Sequence, residues 1–347
     1  MSSMNAGGSG TAMSFCVITG RTISEILQSD IGACIATVHD AYLAHAEGRS
    51  VNPPSFFLRF PHNPSARIIG LPTHLGQPWQ LSGIKWIASY PENIRRHIPR
   101  ASAVLIINSD ETGYPLACLE ASIISAVRTA SSAALAAAQL SANGRNAKSL
   151  GIVGTGFIAR YVYQFLLGDG WTIDKVRLYD IDPAQAHDFA ARVCQPGRHA
   201  AVEVATSLDD AMSSSDVLLF TTVAGKPHVH DEKLLAHNPL VLHLSLRDLA
   251  PELILRANNV VDDVEHVMTA GTSLHLTEQQ VGHRRFVSGT LSDVIRGTCT
   301  CPPQRPTIFS PFGLGVLDLA IGKLVYDRAV AAGAHLQVDD FFYDLER

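Results

Sequence analysis

The 347 residues exceed what a single ordinary hydrophobic core organises and suit two domains. With 46% hydrophobic and 17% charged residues, the composition is that of a well-buried globular protein and excludes a disordered chain. A formal net charge of −5 sets aside nucleic acid as the main partner, because neutralising phosphates takes a basic excess.

Residues 1–14 hold no basic segment followed by an apolar run and are not read as a signal peptide; their Gly, Ser and Ala content predicts a flexible tail. No apolar run is read as reaching the roughly 20 residues of a membrane span, and no membrane partner is expected. Thr22 and Glu25 have capping-box spacing and predict a helix start. Ile26, Leu27, Ile31, Cys34, Ile35, Val38 and Tyr42 continue it at helical spacing, and Gly48 closes it. From Ser55 to about Leu119, short apolar runs punctuated by Pro, Gly and Asn predict an antiparallel sheet, with a hairpin turn at Glu111-Thr112-Gly113. The Ala- and Ser-rich run that follows predicts a closely packed helix, with Glu120 suited to its N-terminus.

At Ser149 the texture changes to alternating short apolar strands and helices, which predicts a parallel doubly wound sheet of the Rossmann type. A last helical run after Thr307 lies beyond that unit and is expected to return to the first domain. The expected fold class is therefore α/β, with a Rossmann domain at 131–307 and a second, α+β domain made from both chain ends, 15–130 and 308–347.

Gly154-Thr155-Gly156-Phe157-Ile158-Ala159 matches G-x-G-x-x-G/A between a predicted buried strand and a predicted helix. Gly154 allows the tight turn, Gly156 lets a pyrophosphate approach, and Ala159 keeps helix and sheet close. The helix N-terminus offers free amides to the phosphates. Asp180 ends the second strand about two dozen residues on, where an acid bonds the ribose 2′-hydroxyl and favours NAD over its 2′-phosphorylated form. Asp182 is the neighbouring alternative. Thr221, Thr222 and Val223 end the fourth strand, where the chain passes beneath a nicotinamide ribose. The expected cofactor is NAD.

Six scattered cysteines, only Cys299 and Cys301 close together, read as reduced thiols of a cytoplasmic protein. Fifteen dispersed histidines show no metal-ligand spacing, and no metal is expected. Arg59, Lys85 and Arg128 each sit inside apolar runs. Taken alone they read either as snorkelling structural cations or as a cradle for carboxylates. His243, on the fifth strand, reads either as a packed histidine or as a base.

The blocks GIKWIASYPEN (83–93), ETGYPLACLEASIISAVRTASSAALAA (111–137) and GTGFIAR (154–160) resemble the ornithine cyclodeaminase/mu-crystallin family. That resemblance implies a dimerisation and substrate domain from both chain ends, a homodimer, and a substrate carboxylate held by Arg59, Lys85 and Arg128. It also places Asp248 at the family's catalytic aspartate. The surrounding block departs from the cyclodeaminase pattern: Pro251 stands at its Gly, Glu252 at its Lys and Ile254 at its later Glu. The stretch LSLRDLAPE is similar instead to a narrower branch, the N-(2-amino-2-carboxyethyl)-L-glutamate dehydrogenases, as are FFLRFP, RASAVLIIN and SPFGLGVLDLA. This resemblance implies NAD-dependent oxidation of a secondary amine and hydrolysis of the imine to 2-oxoglutarate and L-2,3-diaminopropionate, a siderophore or peptide-antibiotic precursor. Lys85 and Asp248 would then be catalytic, with Asp248 stabilising the iminium and handling protons, and Phe312 would wall the pocket. The alternatives are an ornithine cyclodeaminase, an alanine dehydrogenase, a ketimine reductase, or a non-catalytic ligand-binding protein of the mu-crystallin kind.

Overall fold

The structure is a computed structural model that describes residues 14–343. The expected flexible tail therefore lies, but for its last residue, outside the described residues.

The chain opens with strand β1 (Phe15–Ile18) and then two helices, α1 (Gly20–Gln28) and α2 (Ile31–Ala46), where the periodicity predicts one. Thr22 falls inside α1 and caps nothing. The break is made by Asp30, whose carboxylate accepts the amide of Ala33 at 2.9 Å and starts a new helix. Strands β2 (Ser50–Val51), β3 (Phe56–Phe60), β4 (Asn63–Leu75), β5 (Leu81–Ser89), β6 (Ala101–Ser109) and β7 (Pro115–Glu120) follow. Gly113 makes the β6–β7 turn with a φ of +75°. Helix α3 (Ser122–Leu140) comes next, its first amides received by the Glu120 carboxylate at 2.7 and 3.1 Å.

Beyond α3 lie β8 (Asn146–Val153), α4 (Phe157–Gly168), β9 (Thr172–Tyr179), α5 (Pro183–Arg192), β10 (Ala201–Val204), α6 (Leu208–Met212), β11 (Val217–Phe220) and β12 (Leu240–His243). Then come α7 (Pro251–Leu255), β13 (Asn258–Val261), α8 (Val264–Val267), α9 (Ser273–Val281), β14 (Val287–Thr290), α10 (Leu291–Ile295), β15 (Thr307–Ser310), α11 (Gly315–Ala331) and β16 (Leu336–Val338). Two sheets result. The first runs β16-β1-β7-β6-β5-β4-β2, with β3 also on β4. It is mixed rather than purely antiparallel. Strand β1 pairs parallel with β7, because its long connection through the rest of the sheet leaves it free to enter in that direction. The second sheet is wholly parallel, in the order β10-β9-β8-β11-β12-β15-β13-β14, and the order reverses at β8.

Helix α3 joins the two sheets. It packs on α2 and α11 on one side and on α4 and β12 on the other. Its buried Ala126, Ala130, Ala133, Ala134 and Ala137 allow that close approach. The expected boundary at 130/131 cuts through this helix, and the one at 307/308 cuts through β15, which lies inside the parallel sheet. Against the sequence reading, α3 is long and apolar enough by length and composition to cross a membrane, but 61% of its most apolar window is buried inside the fold. Its hydropathy belongs to a core helix shared by two layers.

Candidate active site

The carboxyl ends of the parallel strands gather the glycine loop, Thr221–Val223, the segment 243–248, Asp262 and the segment 310–313. Ligands of open α/β sheets bind at this edge. A cavity of about 280 Å³ bordered by Asn238 and Pro306 lies at the opposite, amino-terminal edge and takes no part.

Gly154 holds a φ of +87°, and a Cβ there would stand 3.0 Å from the backbone of Thr221 and Thr222. At Gly156 a Cβ would meet nothing within 4 Å, so the N-terminus of α4 is open to a ligand. Ala159 is fully buried, Ile158 partly so, and Phe157 is exposed at the loop's rim. Thr155 donates its amide at 2.8 Å and its hydroxyl at 3.0 Å to Asp180 Oδ2, fixing that carboxylate beside the loop. Asp182 instead caps α5 through the amide of Ala184. The Thr221 hydroxyl donates to the Gly154 carbonyl at 2.6 Å, tying β11 to the loop, and Val223 is exposed just beyond. Arg177 is held by Asp210 at 2.9 Å and by Glu203 at 3.5 Å, away from a 2′-phosphate position. The residues present thus fit a dinucleotide with a free ribose 2′-hydroxyl: a cradle that a Cβ would fill, an open helix N-terminus and a fixed acid.

Lys85 and Arg128 meet at a residue the sequence reading missed. Lys85, on β5, donates to Asp318 Oδ2 at 2.6 Å and to Ser125 at 3.2 Å, and Arg128, on α3, reaches Asp318 Oδ1 at 3.4 Å. Asp318 and Lys85 are almost wholly buried, while Arg128 keeps part of its guanidinium open. Burial pushes the Lys85 ammonium down to about 8, with Asp318 pulling the other way. The signal for Asp318 was a lone acid in the apolar run GVLDLAIG, the counterpart of the two isolated cations. Gly313 has a φ of +101° and lies against Arg128, where a Cβ would come within 2.6 Å of its Nη1. The loop is held by Asp262 at the end of β13, which accepts the amides of Phe312 at 2.9 Å and Gly313 at 2.6 Å. Phe312 also lines a cavity of about 140 Å³ between the two sheets, facing Phe57 and His266. Arg59 does not join Lys85 and Arg128 at Asp318. It lies on exposed β3, its guanidinium 5.2 Å from the Phe57 ring centroid.

Asp248 is completely buried. Its Oδ1 receives the Thr222 hydroxyl and faces His228 Nε2 at 3.0 Å; its Oδ2 receives the Ser245 hydroxyl and faces His243 Nε2 at 3.2 Å. Burial raises the carboxyl's pKa, but the hydrogen bonds from His243, Ser245 and Thr222 outweigh it and hold the group well below the usual carboxylate range. His243 is itself buried, with Nδ1 at 3.1 Å from the Ser310 hydroxyl. His228 is different: 37% of its side chain is exposed. It is the most exposed histidine of this network, beside the partly exposed Thr222 and Ser245. The sequence reading missed it, because a histidine in a loop eight residues beyond a strand carries no pattern. Glu252, at the family's Lys position, pairs with exposed His230 at 3.1 Å and does not touch Asp248.

A family model described as the ornithine cyclodeaminase/mu-crystallin family matches residues 17–333. The N-((2S)-2-amino-2-carboxyethyl)-L-glutamate dehydrogenase of Staphylococcus aureus is 34% identical over 84% of this chain and 88% of its own. An archaeal alanine dehydrogenase dimer with bound NAD superposes with a TM-score of 0.84 at 25% identity, covering 95% of this chain and all of the other. The Thermococcus litoralis Δ1-pyrroline-2-carboxylate reductase, solved with NADH and L-proline, has a TM-score of 0.85 at 22% identity over 93% and 99% of the two chains.

Proposed function

Because the chain belongs to the ornithine cyclodeaminase/mu-crystallin family, we propose that it oxidises N-(2-amino-2-carboxyethyl)-L-glutamate with NAD to 2-oxoglutarate and L-2,3-diaminopropionate. In the coarser sense it is an NAD-dependent oxidoreductase acting on the CH–NH group of an amino-acid-derived substrate. The observation that carries the substrate is the 34% identity to the Staphylococcus aureus dehydrogenase. NAD, when bound, supplies the hydride acceptor.

The chain's own residues have three tasks. Arg128 and Lys85 hold a substrate carboxylate at the Asp318 end, where Arg128 retains open donor capacity. Fixing that group fixes the α-carbon, and orientation supplies much of the rate. The buried anion of Asp248 favours the iminium charge as it develops and holds His228, which exchanges protons with the substrate amine or the hydrolytic water. Phe312 walls the cleft and limits water.

The assembly in this reading is a homodimer. One face of the first sheet carries a cross-strand row of Phe56, Gly70, Trp86 and Val104, whose three large side chains are exposed in the single chain. All six cysteines are free, which suits a reducing, cytoplasmic setting. The product serves siderophore or peptide-antibiotic assembly in the same reading.

Incubation of the protein with the proposed substrate and NAD tests the function. NADH and 2-oxoglutarate should form in equal amounts without ammonia. Ammonia without net NADH from ornithine would make it a cyclodeaminase, and turnover of alanine alone would make it an alanine dehydrogenase.

A further inference from the structure

Four arginines, none of them in the Lys85–Arg128–Asp318 group, crowd one end of the cleft. Arg59 on β3 stands directly opposite Arg67 on β4, and Arg67 stands opposite Ser89 on β5. Cross-strand partners project to the same face. Arg100 donates from Nη1 to the Ser89 hydroxyl at 3.3 Å, so its guanidinium lies over that same row. From the other sheet comes Arg247, fixed by the carbonyls of Gly271 at 3.1 Å and Ala270 at 2.5 Å. Among the described residues, none of the four forms an ion pair with a carboxylate. Burial lowers the proton affinity of Arg67, and Arg100, Arg247 and Arg59 lower it further; Arg247 feels burial first and then Arg59. Like charges directly opposite on a sheet destabilise it, so this grouping costs the protein stability unless an anion enters.

The same face carries Lys85. It pairs with Leu71, four residues along β4 from Arg67 with no irregularity between, which is about 13 Å at the rise of a strand. The cleft thus has a cationic group at each end. The Lys85–Arg128 end is largely neutralised by Asp318, whereas at the arginine end no carboxylate pairs with any of the four among the described residues, and only Asp248, itself bound to Thr222 and Ser245, lies close enough to Arg247 to raise its proton affinity.

We propose that Arg67, Arg100 and Arg247, with Arg59, form a second carboxylate subsite that receives the far acid group of an extended di- or tricarboxylate substrate. The subsite rests on the proposed oxidoreductase reading for its place in the cleft and adds what selects the substrate. A small monocarboxylate amino acid held at Lys85 and Arg128 leaves the arginines unfilled. A glutamate-derived amine spans both ends.

The test compares two 2-oxo acids as ligands of the protein–NADH complex by titration calorimetry. 2-Oxoglutarate carries the far carboxylate and 2-oxobutyrate lacks it. The native protein should bind 2-oxoglutarate at least about tenfold more tightly, the scale of one charge-assisted contact. In the double variant Arg67→Gln/Arg100→Gln that ratio should collapse toward one, and Arg67→Lys should keep part of it. Equal binding of the two acids by native protein overturns the subsite, and this arm does not depend on any variant folding. A ratio that persists in a folded double variant overturns it too. Loss of the function reading is a separate outcome: no turnover of the aminocarboxyethyl-glutamate beside an intact, arginine-dependent ratio leaves the subsite standing.

Discussion

Burial strips Lys85 of water, and Asp318 offsets only part of that loss. With a pKa of about 8, its ammonium is charged below that pH and loses the charge above it. A carboxylate held by the charged form is then released on the alkaline side. The dependence of kcat/KM on pH should therefore fall above about pH 8, and Lys85→Arg, which keeps its charge, should shift that limb upward. An identical limb in both proteins would assign it to another group. Asp248 itself is buried, and His228 is the most exposed of the side chains bound to it. Asp248→Asn, which removes the anion beside the developing iminium, should lower kcat at least about a hundredfold, and His228→Gln, which removes the proton carrier, should approach that loss. NAD affinity, read by titration, should stay nearly unchanged in both. Near-normal turnover of His228→Gln would remove it as the proton carrier.

At the scale of elements, the local patterns that carried the most information were those that a backbone demands. The glycine loop and Asp180 were legible because a tight strand-to-helix turn and a ribose-facing acid require particular residues at particular places. Gly154→Ala tests the loop. With a φ of +87° and backbone 3.0 Å from the new Cβ, it should destabilise the protein by more than about 1 kcal/mol and sharply weaken NAD binding. Unchanged NAD affinity would mean the loop tolerates a side chain that its geometry forbids. What stayed hidden is equally physical. The split of the first helix turned on Asp30, whose carboxylate starts a second helix within a run whose apolar spacing continues across it. Strand β15 was read as part of the other domain because four residues of sequence do not say which sheet they join. His228 and the arginine row are products of tertiary pairing that no spacing in the chain announces, and Asp318 showed only as a lone acid in an apolar run, with nothing to say which cations it meets.

For the whole molecule, the two sheets are held together by α3, and the proposed chemistry lies where the carboxyl edge of one meets the inner face of the other. The opposite face of the first sheet presents the Phe56–Trp86–Val104 row. If that row is the dimer interface, Trp86→Glu should convert the protein to monomers in sedimentation analysis, because it buries a charge in an apolar contact. A variant that remains dimeric would place the interface elsewhere.

The central claim is that the α-hydrogen of the glutamate portion leaves as hydride across this cleft. Substrate deuterated at that carbon, incubated with NAD, tests it in one mass spectrum. The account predicts NADH carrying one deuterium and 2-oxoglutarate carrying none, in equal amounts. Unlabelled NADH, or loss of the label to water without NADH, would contradict it.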